Sequence, residues 1–195
     1  MSLFDRFKSS AGGQADAPPA SAQAEQAALQ RLEQGLACEA QGQSEQALRH
    51  FEAAIGLDPG LGRAHFCRGN LLLDSGQPEA ALPAYDKAIA LKPDSAAAHF
   101  NRGNALLGLQ RPEEAAGAYR TALALKPDFA DAEVALGGAL EDLARIDEAI
   151  AHYQQALKLR PDYPEVHYNL GRAFANTGAL DQAIACYRKA IDLRQ

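Results

Sequence analysis

The chain has no tryptophan, one methionine and only three cysteines among its 195 residues. Cys38, Cys67 and Cys186 are odd in number and widely spaced, which fits neither a disulfide framework nor a CxxC metal or redox site. We therefore predict reduced thiols with structural roles. The chain also lacks G-x-S-x-G, G-x-x-x-x-G-K-[ST] and H-E-x-x-H motifs. These absences predict a protein without catalytic activity, cofactor or metal.

Positive charge is scarce, because 19 Lys and Arg face 25 Asp and Glu and the formal net charge is −6. Non-specific binding to nucleic acid depends on Lys and Arg that neutralise phosphates, so nucleic acid is not the expected partner. No stretch approaches the roughly 20 consecutive apolar residues that a membrane-spanning helix needs. The N-terminal sequence MSLFDRFKSS carries charges where a signal peptide requires an apolar run. We therefore expect a cytoplasmic protein without a membrane span.

The most regular feature of the sequence is a period of 34 residues. Small, aromatic and proline residues all recur at this interval, which indicates a repeat architecture. Glycine and alanine remove side-chain bulk where two helices cross, and an aromatic residue fills the space beside them. Proline in the KPD and RPD segments ends a helix and begins a turn. The recurring positions are Pro59, Pro93, Pro127 and Pro161; Gly35, Gly69, Gly103, Gly137 and Gly171; Ala47, Ala81, Ala115, Ala149 and Ala183; and Phe51, Tyr85, Tyr119, Tyr153 and Tyr187.

This pattern resembles the tetratricopeptide repeat, a helix-turn-helix unit with the signature W-x2-L-G-x2-Y, then A-x3-F, then P. Histidine replaces the signature tryptophan, and Arg68 and Arg102 replace the leucine in two repeats. The segment FNRGNALL is similar to bacterial arrays and to the superhelix of O-linked N-acetylglucosamine transferase. The resemblance implies an all-α, right-handed α-solenoid of five 34-residue repeats that binds another protein or peptide. In repeat five it is carried by His167, Leu170, Gly171, Phe174, Ala183 and Tyr187.

The same period argues against a metal site at the histidines. His65, His99 and His167 occupy one repeat position on different first helices. Packed helices lie about 8 to 10 Å apart, which is too far for these side chains to share one ion. We therefore predict structural, partly buried histidines.

We predict repeats at residues 28–61, 62–95, 96–129, 130–163 and 164–195. The segment before residue 28 is small and polar with glycine and proline, so residues 1–27 are predicted to be a disordered tail. The last helix is expected to expose Ile184 and Ile191. Terminal repeats normally need a polar outer face, so repeat five is a candidate surface for self-association.

The candidate binding residues lie on the first helix of each repeat. Repeat positions 2, 6, 9 and 13 form one helical stripe, and positions 5 and 12 flank it. In tetratricopeptide arrays, which this chain resembles, that face lines a concave groove. The predicted peptide-binding groove comprises Arg63, Phe66, Asn70, Asp74, Phe100, Asn101, Asn104, Asp131, Glu141, Asp142, Tyr168, Asn169 and Arg172.

Asparagine can both donate and accept hydrogen bonds, so Asn70, Asn101, Asn104 and Asn169 suit contact with the main chain of an extended peptide. The alternative is that they are solvated residues of a helix surface. In repeat four the small residue Gly138 and three carboxylates suggest space for a cationic side chain. The sequence thus predicts an adaptor for an extended, partly basic peptide. A structural assembly subunit that uses its ends and convex face, and a targeting module for a separate enzyme, are the alternatives.

Overall fold

A computed structural model of the protein describes residues 20–194, which form ten α-helices and no strand. The all-α solenoid fold is confirmed. No helix within these residues is both long and apolar enough to cross a membrane. The helices are α1 (Ala20–Ala40), α2 (Ser44–Leu57), α3 (Gly62–Asp74), α4 (Pro78–Leu91), α5 (Ala96–Gly108), α6 (Pro112–Leu125), α7 (Ala130–Asp142), α8 (Ile146–Leu159), α9 (Pro164–Asn176) and α10 (Leu180–Asp192).

Successive helices pair as hairpins, and the hairpins stack in chain order. The second helix of each hairpin packs against the first helix of the next, as α4 does against α5 and α6 against α7. In addition α3 touches α5 and α5 touches α7, whereas second helices make no comparably close contact with one another in the described chain. The first helices therefore lie on the inside of the curve. We call the surface formed by α1, α3, α5, α7 and α9 the inner face.

The first helix begins earlier than the sequence analysis predicted. It starts at Ala20, so residues 20–27 are helical rather than part of a disordered tail. The physical reason is composition: after the glycine- and proline-containing segment, the sequence ASAQAEQA consists mainly of Ala, Gln and Glu, which favour helix. The remainder of the predicted tail, residues 1–19, lies outside the described residues.

Each hairpin is held together by contact between a first-helix glycine and a second-helix aromatic ring. A Cβ atom built on Gly103 would lie 2.5 Å from Cε1 of Tyr119, and one on Gly137 would lie 2.6 Å from the same atom of Tyr153. Real Cβ atoms do not approach ring carbons this closely, so only glycine fits at the present helix spacing. Tyr85, Tyr119 and Tyr153 are completely buried in these contacts. The packing role predicted for the repeating glycines is confirmed.

The turns within the hairpins need a residue in the left-handed region. Gly42, Gly76 and Gly178 adopt φ angles of 73°, 72° and 78° there, as expected for glycine. Repeats three and four place Gln110 and Ala144 at the same position, with φ of 56° and 58°. These two turns therefore carry a conformational cost of about 1 kcal/mol each that glycine would avoid.

The departures from the repeat signature also have structural explanations. Arg68 pairs with Glu52, and Arg102 pairs with Asp86 at 2.6 Å, so each arginine reaches an acid on the preceding second helix. Nε2 of His65, His99 and His167 lies 3.0 Å from the carbonyl oxygens of Pro59, Pro93 and Pro161, respectively. Each histidine thus ties a first helix to the turn that precedes it. This bonding is consistent with the structural role predicted for the histidines.

Candidate functional site: the inner face

The inner face of repeats two and three carries two asparagines that buried tyrosines hold in place. The hydroxyl group of Tyr85 donates to Oδ1 of Asn70 at 3.0 Å, and that of Tyr119 donates to Oδ1 of Asn104 at 2.8 Å. Burial raises the pKa of both tyrosines well above the usual range, so both hydroxyls stay protonated and act as donors. No described residue accepts a hydrogen bond from Nδ2 of Asn70 or Asn104. These two amide groups are therefore oriented donors without a protein acceptor.

The other two predicted asparagines differ from each other. Nδ2 of Asn101 donates to Oδ1 of Asn70 at 2.8 Å, which links repeat three to repeat two. This interaction takes one of the two N–H donors of the Asn101 amide, so Asn101 orients Asn70. Asn169 holds the same repeat position as Asn101. The residue of repeat four that corresponds to Asn70 is Gly138, which has no side chain to accept a hydrogen bond. No hydrogen bond joins the Asn169 side chain to any other described residue.

Repeat four replaces the tyrosine–asparagine pair with a charged network. Gly138 has no side chain, and the hydroxyl group of Tyr153 donates instead to Oε2 of Glu141 at 2.6 Å. Nη2 of Arg172 donates to the same oxygen at 2.7 Å. The Glu141 side chain is only 8% exposed, whereas that of Arg172 is 50% exposed. Glu141 is therefore neutralised within the protein and is not a carboxylate that awaits a ligand.

A second predicted carboxylate is also paired. Oδ1 of Asp131 accepts from Nη2 of Arg160 at 3.0 Å and from the hydroxyl group of Tyr163 at 3.1 Å. Asp74 and Asp142 form no ion pair with another described residue. The cationic ligand side chain predicted at repeat four depended on three carboxylates without protein partners. Two of the three are paired with arginines. Of the three, Asp142 therefore remains without an ion pair in the described chain, and the basic side chain of the ligand stays a prediction.

The predicted aromatic residues have different degrees of exposure. Phe66 is half-buried, with its ring centroid 6.1 Å from that of Tyr85. Phe100 is half-buried between Tyr119 and Phe129, at centroid distances of 5.7 Å and 4.8 Å. Tyr168 is exposed and packs against Tyr187. Phe66 and Tyr168 can therefore offer ring surface to a partner, whereas Phe100 mainly supports the core.

The remaining predicted residue, Arg63, is exposed near Cys67. Burial, and secondarily the negative charge of Glu39, raises the pKa of the Cys67 thiol, while Arg63 acts in the opposite direction. A thiol of raised pKa is a poor nucleophile, which supports the predicted structural role. Within residues 20–194 no group of histidine, cysteine and acidic side chains is arranged to hold a metal ion.

Comparison with known families identifies the class of protein. Family models described as tetratricopeptide repeats match residues 31–61, 66–130 and 164–195, and a TPR repeat model matches residues 142–178. The chain belongs to the tetratricopeptide repeat family, whose members mediate protein–protein interactions. Residues 131–141, nearly all of α7, fall between the matched segments. This is the helix in which Gly138 and Glu141 replace the tyrosine–asparagine pattern.

Solved structures show the same fold. MamA matches with 25% identity and a TM-score of 0.79 over 82% of this chain and 94% of its own. YrrB, described as a TPR protein with an unusual peptide-binding site, matches with 22% identity and a TM-score of 0.76 over 91% of this chain and 93% of its own. PilF of Pseudomonas aeruginosa matches with 22% identity and a TM-score of 0.77, covering 87% and 78% of the two chains. No curated protein sequence matched.

Proposed function

We propose that the protein is an adaptor that binds an extended peptide segment of a partner protein along its inner face. The observation that carries this proposal is the pair of oriented amides at Asn70 and Asn104. Each side chain has its oxygen fixed by a buried tyrosine, and its nitrogen has no acceptor among the described residues. Peptide carbonyl groups are the natural acceptors for such donors. The peptide-binding site of YrrB is a precedent within the same fold.

The two asparagines are spaced to contact one extended chain. They lie 34 residues apart at the same position of neighbouring first helices, α3 and α5, which touch each other. Packed helices are about 8 to 10 Å apart, and an extended chain advances about 3.3 Å per residue. The amides can therefore contact carbonyls about two or three residues apart. Main-chain contact of this kind is independent of ligand charge, so the proposal no longer requires a basic peptide.

The proposal predicts that removing both amides weakens binding. Peptides would first be selected on the wild-type protein from a random library displayed on phage, and their affinities measured by calorimetry. Each hydrogen bond contributes about 0.5 to 1.5 kcal/mol, so Asn70→Ala with Asn104→Ala should weaken binding by about fivefold to about 150-fold. The loss should be similar at low and high salt, because neither asparagine is charged.

The matched control is Gln154→Ala, which removes an exposed carboxamide from α8, away from the inner face. It should leave affinity unchanged. Tyr119→Phe is a second comparison, because it keeps Asn104 but releases its oxygen, and it should weaken binding by less than the double variant does. Equal affinity of the selected peptides for the wild type and the double asparagine variant would contradict the proposal.

A second candidate function, as an assembly subunit, rests on one observation at the other end of the stack. Leu180, Ile184 and Ile191 on α10 are 62%, 49% and 59% exposed. The equivalent positions of Ile184 and Ile191 in the preceding repeats are half-buried or buried. Association through α10 predicts a molar mass that rises with concentration in light scattering and stays constant in an Ile184→Lys variant. A constant mass for the wild type would exclude self-association through this face.

A further inference from the structure

The residue that immediately precedes each first helix differs from repeat to repeat. Leu61, Ser95, Phe129 and Tyr163 lie at 34-residue intervals and are the N-cap residues of α3, α5, α7 and α9. Three of them are large and apolar or aromatic. Ser95 alone is small, and its hydroxyl oxygen caps α5 by accepting from the backbone N–H of Ala98. The junction between repeats two and three is therefore built differently from its neighbours.

The next two junctions show what a large side chain does at this position. The Phe129 ring lies 4.8 Å from the Phe100 ring, and Nζ of Lys126 lies 4.8 Å from the centre of the Phe129 ring. At the following junction the guanidinium of Arg160 lies 3.3 Å from the centre of the Tyr163 ring. Each aromatic ring thus has a cation against one face, an arrangement that stabilises both groups. The chain itself provides the ring that fills the junction.

Where Ser95 replaces the ring, the structure has a cavity of about 340 Å³. Phe66 and Lys92 line it, and they are the repeat equivalents of Phe100 and Lys126. Gly60 and Gly62 line it too and add no side chain to fill the space. The cavity therefore shares with the Phe129 site an aromatic residue and a cation in its walls, but it has no ring between them.

The cavity also lies next to the predicted peptide path. Phe66 lines it, and Asn70 follows four residues later on α3, so both side chains lie on the same face of that helix. A peptide whose main chain contacts the Asn70 amide would therefore have a neighbouring side chain within reach of the cavity. The apolar walls and the nearby cations Arg63 and Lys92 favour an aromatic ring over an aliphatic or cationic side chain.

We propose that this cavity receives an aromatic side chain of the bound peptide, which takes the place that Phe129 and Tyr163 occupy at the next two junctions. The inference rests on the proposed function, because it names a residue class within the same ligand. It also explains why the Ser95 junction is left open on the binding face while the next two junctions along the chain are closed. Aromatic specificity would then come from the junction between repeats two and three, and main-chain affinity from the asparagines.

The experiment uses the absence of tryptophan from the protein. The probe is the peptide acetyl-Ser-Gly-Trp-Gly-Ser-amide, whose fluorescence can be excited without a tryptophan signal from the chain. Matched peptides with Phe, Leu, Glu or Gly at the centre serve as competitors. A peptide of this size should bind wild-type protein with a dissociation constant on the order of 1 mM. Phe should compete at least several-fold better than Leu, and Glu and Gly should not compete measurably.

Ser95→Phe fills the cavity with the chain's own ring and should weaken binding of the tryptophan peptide at least about tenfold. Ser95→Ala is the matched control, because it removes the same N-cap hydroxyl group and leaves the cavity open, so it should bind like the wild type. Circular dichroism would verify that both variants keep wild-type helicity. In the reverse variant, Phe129→Ser, a similar cavity with Phe100 and Lys126 in its walls is opened at the next junction, and the stoichiometry should rise to two.

The inference is overturned if the tryptophan peptide binds Ser95→Phe and Ser95→Ala equally, or if Leu or Glu competes as well as Phe. An unchanged stoichiometry in folded Phe129→Ser would also count against it. These failures differ from failure of the proposed function. Peptides from the phage library that depend on Asn70 and Asn104, yet are indifferent to Ser95→Phe, would leave the adaptor intact and remove only the aromatic specificity.

Discussion

Gly103→Ala is expected to destabilise the protein by about 2 kcal/mol or more, although alanine is the better helix former. The added Cβ would lie 2.5, 2.7 and 2.9 Å from three carbons of the Tyr119 ring. That ring cannot easily move aside, because it is fully buried and its hydroxyl group is bonded to Asn104. Helices α5 and α6 must therefore separate, which also weakens the contacts of α6 with α7. Urea unfolding followed by circular dichroism would measure the loss.

Gly117→Ala on α6 is the matched control, since it makes the same substitution in the same hairpin. No atom outside the local helix lies within 4 Å of the Cβ that it adds. It should therefore show only the helix preference of alanine and stabilise the protein by about 0.5 to 1 kcal/mol. The two variants should change stability in opposite directions. Stabilisation by both would mean that contact between glycine and tyrosine does not set the spacing of the helices.

The structural features that could be predicted are those that recur with the 34-residue period of the sequence. Gly103 and Tyr119 recur with their repeats, so their contact could be expected from the sequence together with the helix pairs. The start of α1 could not be placed by the period, because residues 20–27 precede the first repeat. The available signal was the high content of Ala, Gln and Glu in residues 20–27. These residues were assigned to one tail together with the glycine- and proline-containing segment that precedes them.

The candidate site was less predictable because its chemistry depends on contacts between repeats. Glu141 and Asp131 were identified as inner-face residues, but their partners Arg172 and Arg160 are 31 and 29 residues further along the chain. Sequence spacing identifies which side chains share a face, and it does not identify which of them reach each other. The small residue Ser95 was visible once the repeats were aligned. Its significance required the observed positions of the Phe129 and Tyr163 rings.

The Glu141 network leads to the second large expected effect. Arg172→Ala should destabilise the protein by about 1 to 3 kcal/mol, because it leaves a carboxylate that is only 8% exposed with the Tyr153 hydroxyl as its single remaining side-chain donor. The expected loss of stability is smaller than the loss for a fully buried ion pair, because half of the Arg172 side chain is exposed to solvent. Urea unfolding of the variant, compared with the wild type at the same pH, measures the effect.

The decisive control restores the arrangement of repeat three in repeat four. Gly138→Asn with Glu141→Leu places asparagine where repeat three has Asn104 and leucine where it has Leu107. Tyr153 can then donate to the new asparagine, as Tyr119 does to Asn104. In this background Arg172 has no carboxylate to neutralise, so Arg172→Ala should cost less than about 0.5 kcal/mol. If Arg172→Ala destabilised both backgrounds equally, its contribution would come from packing of its aliphatic stem rather than from the charge of Glu141.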